Sequence, residues 1–359
     1  MSAAAQAARE AIVEAQAHQA RGEHTLSRQL AREGVQIAER DPAAAMVLVE
    51  ALIVLGQIHD ELAEYADAEI AFDRAVNASR ELPRSPAHDQ LHVAGLIALG
   101  NARRIAGRYD DAERVLREGL SFAEEALGAT DTQVAGALNA LAVTFKYSGR
   151  FEEAEPLLHR ALDITEAALG PDHPDAATLL HNLGGLHHAR RDYAAAEPFA
   201  RRAVEVRQNA LGAEDLAVAT DRAALAPILD ALGRDEEARA LLRDALVIFE
   251  RNLGPDHYEV AVTLNNLAAI AQRRGDLTEA ETQYRRALAI KESVLGPDHP
   301  DVAVTLNNLA TACQAQARDP EAAELLRRAL TVFERTLEPD HPTLAACRDN
   351  YANAVQQGL

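Results

Sequence analysis

The sequence predicts an all-α solenoid, a stack of antiparallel helical hairpins. Three observations carry this. First, leucines stand at 127, 169, 211, 253, 295 and 337, each 42 residues after the last. A fixed period of this size marks an array of one supersecondary unit. Second, the 359 residues are 48% apolar but only 4% aromatic and contain no Trp. Ala and Leu dominate, which suits close-packed helices and is poor for sheets. Third, small residues recur in register. Ala68, Ala112, Ala154, Ala196, Ala238, Ala280 and Ala322 form one column. Ala75, Gly119, Ala161, Ala203, Ala245, Ala287 and Ala329 form another, seven residues on. Helices approach closely only where side chains are small.

The elements follow in order. In the unit 257–297, Val260, Leu264, Leu267, Ala268 and Ala271 keep helical spacing. Gly275-Asp276 interrupts the pattern. Leu277, Ala280, Tyr284, Ala287, Leu288 and Val294 then resume it. Each unit is therefore helix A, a short turn, helix B and a linker. The turn column reads Gly107, Gly149, Arg191, Gly233, Gly275 and Ala317. The linker is Leu-Gly-Pro-Asp-His-Pro at 169–174 and 295–300, with variants at 253–257 and 337–342. Its Gly suits a left-handed position just past helix B, its Asp or His caps the next helix, and its second Pro fits the first turn.

Eight hairpins are predicted, near 2–40, 43–82, 86–127, 131–169, 175–211, 215–253, 257–295 and 299–337. The whole chain, 1–359, reads as a single solenoid. Residues 1–85 hold divergent hairpins, 86–340 hold the regular repeats, and 341–359 form a polar capping helix. Pro156 and Pro198 fall early in helix B, where a lost donor costs least. Pro227 falls inside a helix A and is expected to kink or break it.

Leu-Gly or Leu-Ala pairs in helix A (Leu55-Gly56, Leu99-Gly100, Leu141-Ala142, Leu183-Gly184, Leu267-Ala268, Leu309-Ala310) precede the turn position by eight residues and the Ala column by thirteen. This pattern resembles the tetratricopeptide repeat (TPR). The period, Thr-Leu-Asn-Asn-Leu-Ala at 263–268 and 305–310, Ala-Glu-Pro-Leu at 154–157 and Arg-Arg-Ala-Leu at 285–288 are similar to the kinesin-light-chain type. The resemblance covers 86–342 well and extends with weaker register to residue 24. It implies a right-handed α-α superhelix whose A helices line a concave groove. It also implies that Asn side chains clamp the backbone of an extended peptide there.

Charge excludes several partners. Lys and Arg total 36 against 56 Asp and Glu, a formal net charge of −20. Nucleic acid and anionic membranes are therefore not expected partners. Two cysteines make no disulfide framework, and the N-terminus lacks the apolar segment of a signal peptide. No run approaches the roughly 18 apolar residues of a membrane span. A cytoplasmic protein is expected, monomeric or weakly self-associating. Its Ala/Arg-rich, Lys-poor usage fits a high-GC bacterium.

No catalytic motif stands out. There is no phosphate loop, nucleophile elbow or CxxC pair. An enzyme is not expected, nor a cofactor. The linker histidines His173, His257, His299 and His341, beside Asp172, Asp256, Asp298 and Asp340, read as caps rather than metal ligands. His181, His187 and His188, with His159 as a further donor, and the pair His88 and His92 likewise lack a complete ligand set.

The binding candidates lie on helix A. Asn139, Asn265 and Asn307 share one position, filled by His181 and Ala223 in the other repeats. Asn182, Asn266 and Asn308 follow at the next. Asn is a middling helix former, so its recurrence needs another reason. The first column is expected to face a bound peptide, and the second to bond neighbouring repeats. One turn on, the same face carries Asp60, Arg104, Lys146, His188, Asp230, Gln272 and Gln314. Arg104 and Lys146 make a positive spot suited to an acidic residue. The expected function is a scaffold or adaptor binding an extended segment of a protein partner in the groove. The alternative is a regulatory or sensory subunit of a larger effector complex, serving a protease, a kinase or a nucleotide-driven switch. A third possibility is end-to-end self-assembly.

Overall fold

The structure, a computed structural model, describes residues 2–337 and 341–357. The Glu338-Pro339-Asp340 part of the last linker, and the ends of the chain, lie outside the described residues. The chain divides into two compact units, Met1–Arg190 and Arg191–Leu359.

The first unit holds α1 (Ala3–Ala20), α2 (His24–Glu39), α3 (Ala45–Glu61, after a 3-10 turn at Pro42–Ala44), α4 (Tyr65–Arg80), α5 (Pro86–Ile105), α6 (Tyr109–Ala126), α7 (Thr132–Tyr147), α8 (Phe151–Leu169) and α9 (Pro174–Ala189). The second holds α10 (Tyr193–Leu211), α11 (Leu216–Ala231), α12 (Asp235–Leu253), α13 (Tyr258–Arg274), α14 (Leu277–Leu295), α15 (Pro300–Gln314), α16 (Asp319–Thr336) and α17 (Pro342–Gln357). The described residues form no strand. Within each unit, helix pairs such as α5/α6 and α13/α14 pack as hairpins, and each hairpin packs on the next. The class is the predicted all-α solenoid.

The Ala columns hold the hairpins together. Ala68, Ala112, Ala154, Ala196, Ala238, Ala280 and Ala322 are all fully buried. A β-carbon on Gly119 would stand 3.1 Å from Leu96 Cβ, so that position of the second column takes Gly. Helix A makes the same accommodation. A β-carbon on Gly56 would meet the Phe72 ring, and one on Gly100 would meet the Leu116 side chain, each at 2.4 Å. Between hairpins, Arg–Glu pairs repeat along each unit: Arg150–Glu113 at 2.5 Å and Arg190–Glu155 at 2.6 Å, then Arg234–Glu197 at 3.1 Å and Arg318–Glu281 at 2.7 Å. At the start of the array the polarity reverses, with Arg28 on α2 reaching Glu64 at 2.5 Å.

The linkers cap as expected, and the cap is histidine. Nδ1 of His173, His257, His299 and His341 accepts a backbone N–H two residues on, at 3.1–3.2 Å. Where His is absent, Asp131, Asp215 and Ser85 do the same work. The linker glycines depart from expectation. Gly170, Gly212, Gly254 and Gly296 have φ between 84° and 96° but ψ of 155–158°, so they are extended rather than left-handed helical. The left-handed position is instead in the hairpin turn, as at Gly275 (φ 86°, ψ 6°).

Two further expectations are corrected. Pro227 does not break its helix, because α11 continues to Ala231. The proline sits one turn from the end, where only a short stretch depends on the missing donor. Pro156 and Pro198 lie in the second turn of α8 and α10, past the four free donors. The carbonyls they leave open, Glu152 and Ala194, belong to exposed residues. One stretch of 20 residues, Pro42–Glu61, is long and apolar enough to cross a membrane by length and composition. Its apolar side chains, among them Leu52, Val54 and Ile58, are buried in the core of the first unit.

Candidate functional site

Helix A of each hairpin presents the expected residues. Arg104 lies on α5, Asn139 and Lys146 on α7, and His181 and His188 on α9 of the first unit. Asn265 and Gln272 lie on α13, and Asn307 and Gln314 on α15 of the second. All nine are half-buried.

The two Asn columns meet. Asn182 Nδ2 donates to Asn139 Oδ1 at 2.8 Å, and Asn308 Nδ2 to Asn265 Oδ1 at 3.4 Å. Asn350 of α17 donates to Asn307 Oδ1 at 3.2 Å. The second column thus bonds neighbouring repeats, as expected. The first column takes part through its carbonyl oxygens, which leaves its NH2 groups for another acceptor. The ladder position 43 residues before Asn266 is Ala223, which has no side-chain carbonyl, and among the described residues Asn266 forms no such bond. Asn350 was missed as a ladder member, although 42 residues separate it from Asn308.

The two glutamines are also engaged. Gln272 Nε2 donates to Thr311 Oγ1 at 3.1 Å, and Gln314 Nε2 to the Asn350 carbonyl at 3.4 Å. Asp230 pairs with Arg273. The helix A face of the second unit is therefore largely satisfied by its own neighbours.

The first unit differs. The Arg104 guanidinium stands 5.3 Å from the Tyr147 ring centroid, and Lys146 Nζ 5.2 Å from the same ring. Arg104 Nε is buried without a hydrogen-bond partner. Lys146 Nζ lies 3.4 Å from where a β-carbon on Gly185 would stand. Burial pushes the Lys146 ammonium below its ordinary range, and the Arg104 charge adds to this. No carboxylate offsets either effect. His188 is lowered by burial and then by Lys146. Asp60, next along this face, is raised by burial, which the Arg104 charge partly opposes. Two cations that form no ion pair among the described residues, set against one exposed tyrosine, are unusual in a chain of net charge −20.

Beside them is a cavity of about 470 Å³, lined by Gln57, Asp60, Phe72, Ala94, Ile97, Ala98, Asn101, Ala102, Thr132, Gln133, Gly136 and Asp175. A smaller one of about 190 Å³ includes Asn139, Thr165 and Leu179. Of these residues, only Asp60 and Asn139 stood out in the sequence. The others are ordinary helix residues there, and Gly136 is the one signal, because Ala94, Thr178, Thr220, Val262 and Val304 fill its column in the other regular repeats.

The histidines hold structural places. His88 Nδ1 faces Asp89 Oδ1 at 2.7 Å, and its Nε2 faces the Ser79 carbonyl at 2.9 Å. His92 Nδ1 lies 2.7 Å from Ser79 Oγ. His187 Nε2 is 3.5 Å from Glu155. Among the described residues, His59, Glu64 and Asp67 are the cluster with metal-ligand spacing, and His59 and Arg28 already bond Glu64.

Comparison with known proteins agrees with this architecture. No curated protein sequence matches the chain. Among solved structures, BtubC (BKLC) from P. vanneervenii is 24% identical, with a TM-score of 0.52 over 71% of this chain and 94% of that one. The quorum sensor NprR from B. thuringiensis, in its apo form, is 12% identical, with a TM-score of 0.68 over 91% and 87%. PH0952 from Pyrococcus horikoshii, a STAND protein with a tetratricopeptide repeat sensor, is 12% identical, with a TM-score of 0.64 over 92% and 50%. These likenesses show the fold. Family profiles described as tetratricopeptide repeat match residues 49–82 and, in overlapping segments, 92–335. The chain belongs to the tetratricopeptide-repeat family.

Proposed function

We propose that this protein is an interaction scaffold that binds an extended segment of a protein partner along its helix A faces. Arg104 and Lys146 take an acidic residue of that segment. One observation carries the reading: two half-buried cations of the first unit share the Tyr147 ring and, among the described residues, form no ion pair with a carboxylate. Desolvated charges of this kind gain most from a bound anion, because salt and water screen them least. The Asn ladder supports it. Each ladder carbonyl is spent on a neighbour, while the NH2 of Asn139, Asn265 and Asn307 is left to donate to a peptide carbonyl.

The alternative reading as a regulatory or sensory subunit has only the descriptions of NprR and PH0952 behind it. At 12% identity those speak for fold alone. Binding, not turnover, is the proposed activity.

Crosslinking with mass spectrometry in native lysate tests the proposal. The 359-residue chain is compared with Lys146→Ala and with Asn265→Ala/Asn307→Ala. Crosslinks from a linear partner segment should fall on α5, α7, α13 and α15. Each lost clamp should weaken binding by about 0.5–1.5 kcal/mol. Unchanged affinity in variants of native helicity, or crosslinks confined to helix B surfaces, would sink it.

A further inference from the structure

The cavity beside Arg104 has a chemistry opposite to that of the Arg104–Lys146 spot. Its apolar lining is Phe72, Ile97 and three alanines, and its polar groups are carboxylates, amides and the Thr132 hydroxyl. Asp60 brings a half-buried carboxylate that, among the described residues, forms no ion pair or side-chain hydrogen bond, although the Arg104 charge acts on it from farther off. Asp175 adds a second, largely exposed carboxylate at the N-terminus of α9, 3.6 Å from His173 Nδ1. Gln133 carries an Oε1 that is buried without a donor. No Lys, Arg or His lines the cavity. Space is made by Gly136, in the column where the preceding repeat carries Ala94 and the later ones Thr or Val. A β-carbon there would meet nothing nearer than Ile97 Cδ1 at 3.7 Å.

An apolar lining beside a carboxylate suits a side chain with an aliphatic stem and a cationic head. A carboxylate alone does not specify one. A carboxylate whose nearby cation, Arg104, stays beyond ion-pair distance, with a second carboxylate and an idle acceptor around a preformed space, does.

We propose that this cavity is a pocket for a lysine or arginine side chain of the bound segment, with Asp60 as its counter-ion and Gly136 as the residue that keeps it open. The inference rests on the peptide-binding reading above and specifies it: the segment carries a basic residue for the pocket and an acidic residue for Arg104 and Lys146. The adjacency of opposite charges makes the first unit selective for a mixed-charge sequence over a uniformly basic or acidic one.

Selection from a random dodecapeptide phage library tests this, using the full chain and its Asp60→Asn, Gly136→Val and Lys146→Ala variants. Val at 136 reproduces what stands at 262 and 304, and it improves helix propensity over Gly, so folding should survive; circular dichroism checks this. Peptides enriched in Lys or Arg are expected. Their affinity should fall roughly tenfold or more in Asp60→Asn, in line with loss of a charged hydrogen bond, and similarly in Gly136→Val. Lys146→Ala should instead relax the demand for Asp or Glu. If selected peptides bind but show no basic enrichment, or bind both pocket variants as well as the native chain, the pocket assignment is overturned while groove binding stands. If no peptide is selected, both readings fall.

Discussion

Ala63, Arg191 and Ala317 hold φ of 56–61° in the hairpin turn that Gly107, Gly149, Gly233 and Gly275 fill elsewhere. A β-carbon in this left-handed region crowds the carbonyl that follows, at a cost of order 1–2 kcal/mol. Gly avoids that cost but loses more chain entropy on folding, about 0.5–1 kcal/mol. The difference favours Gly. Ala317→Gly and Ala63→Gly should each raise stability by about 0.5–1 kcal/mol in urea unfolding with an unchanged slope; a loss of stability in either would show that the turn is not strained. The turn was legible in the sequence because most repeats have Gly there. That Ala317 adopts the same backbone was legible only from its column.

At the level of the helix, boundaries follow the sequence closely, because capping His, Asp and Ser and the turn glycines mark each end. Contacts between helices are less legible. The repeat tells which residues are equivalent, not which touch. Its period is 42, yet the Asn ladder joins residues 43 apart, such as Asn139 with Asn182. The first column therefore looked like a groove column alone, when it also closes the ladder. The cavity was hidden for the same reason: Gly136 and Asp60 are separated by 76 positions and share no motif. The last helix allows a test of element independence. α17 buries only Leu344, Cys347 and Ala354. Burial pushes the Cys347 thiol up to about 11, and raises Cys313 as well. Both thiols should resist a polar thiol reagent at neutral pH. Leu344→Ala removes one of the three anchors, at about 2–5 kcal/mol. It should speed labelling of Cys347 roughly tenfold or more while leaving Cys313 slow, as local opening of a terminal helix requires. Equal acceleration at both cysteines, read by mass spectrometry, would mean that α17 does not open apart from α15.

Over the whole chain, titration acts in two windows of opposite origin. Charge is −20 at pH 7 and approaches zero near pH 5.1. Self-repulsion therefore eases on mild acidification, which favours the folded state. His92 works against this. It is buried, and burial first, then the charges of His88, Arg80 and Arg84, lower it below 6.5, while Glu118 acts the other way. A base lowered on folding binds fewer protons folded than unfolded. Its contribution is thus intact above pH 6.5 and is lost as pH falls through its folded value. The second window belongs to carboxylates hydrogen-bonded to arginines. Glu113 is lowered by Arg150, Glu197 and Glu237 by Arg201, and Glu281 and Glu321 by Arg318. Acids lowered on folding stabilise above 4.5 and lose that contribution as pH drops below it. These pairs are partly exposed, so each is worth little. Glu113–Arg150, Glu237–Arg201 and Glu281–Arg318 nevertheless join successive hairpins, so their small losses add as the carboxylates protonate. The melting temperature should therefore change modestly from pH 8 to 5 and fall steeply below 4.5. His92→Phe keeps the ring stacked among His88 and Phe122 but cannot charge, so its stability relative to the native chain should improve as pH falls below 6.5. Calorimetry of the two proteins from pH 8 to 3 gives both curves. A constant difference between them would remove His92 from the first window, and a flat profile below 4.5 would remove the arginine–carboxylate ladder from the second.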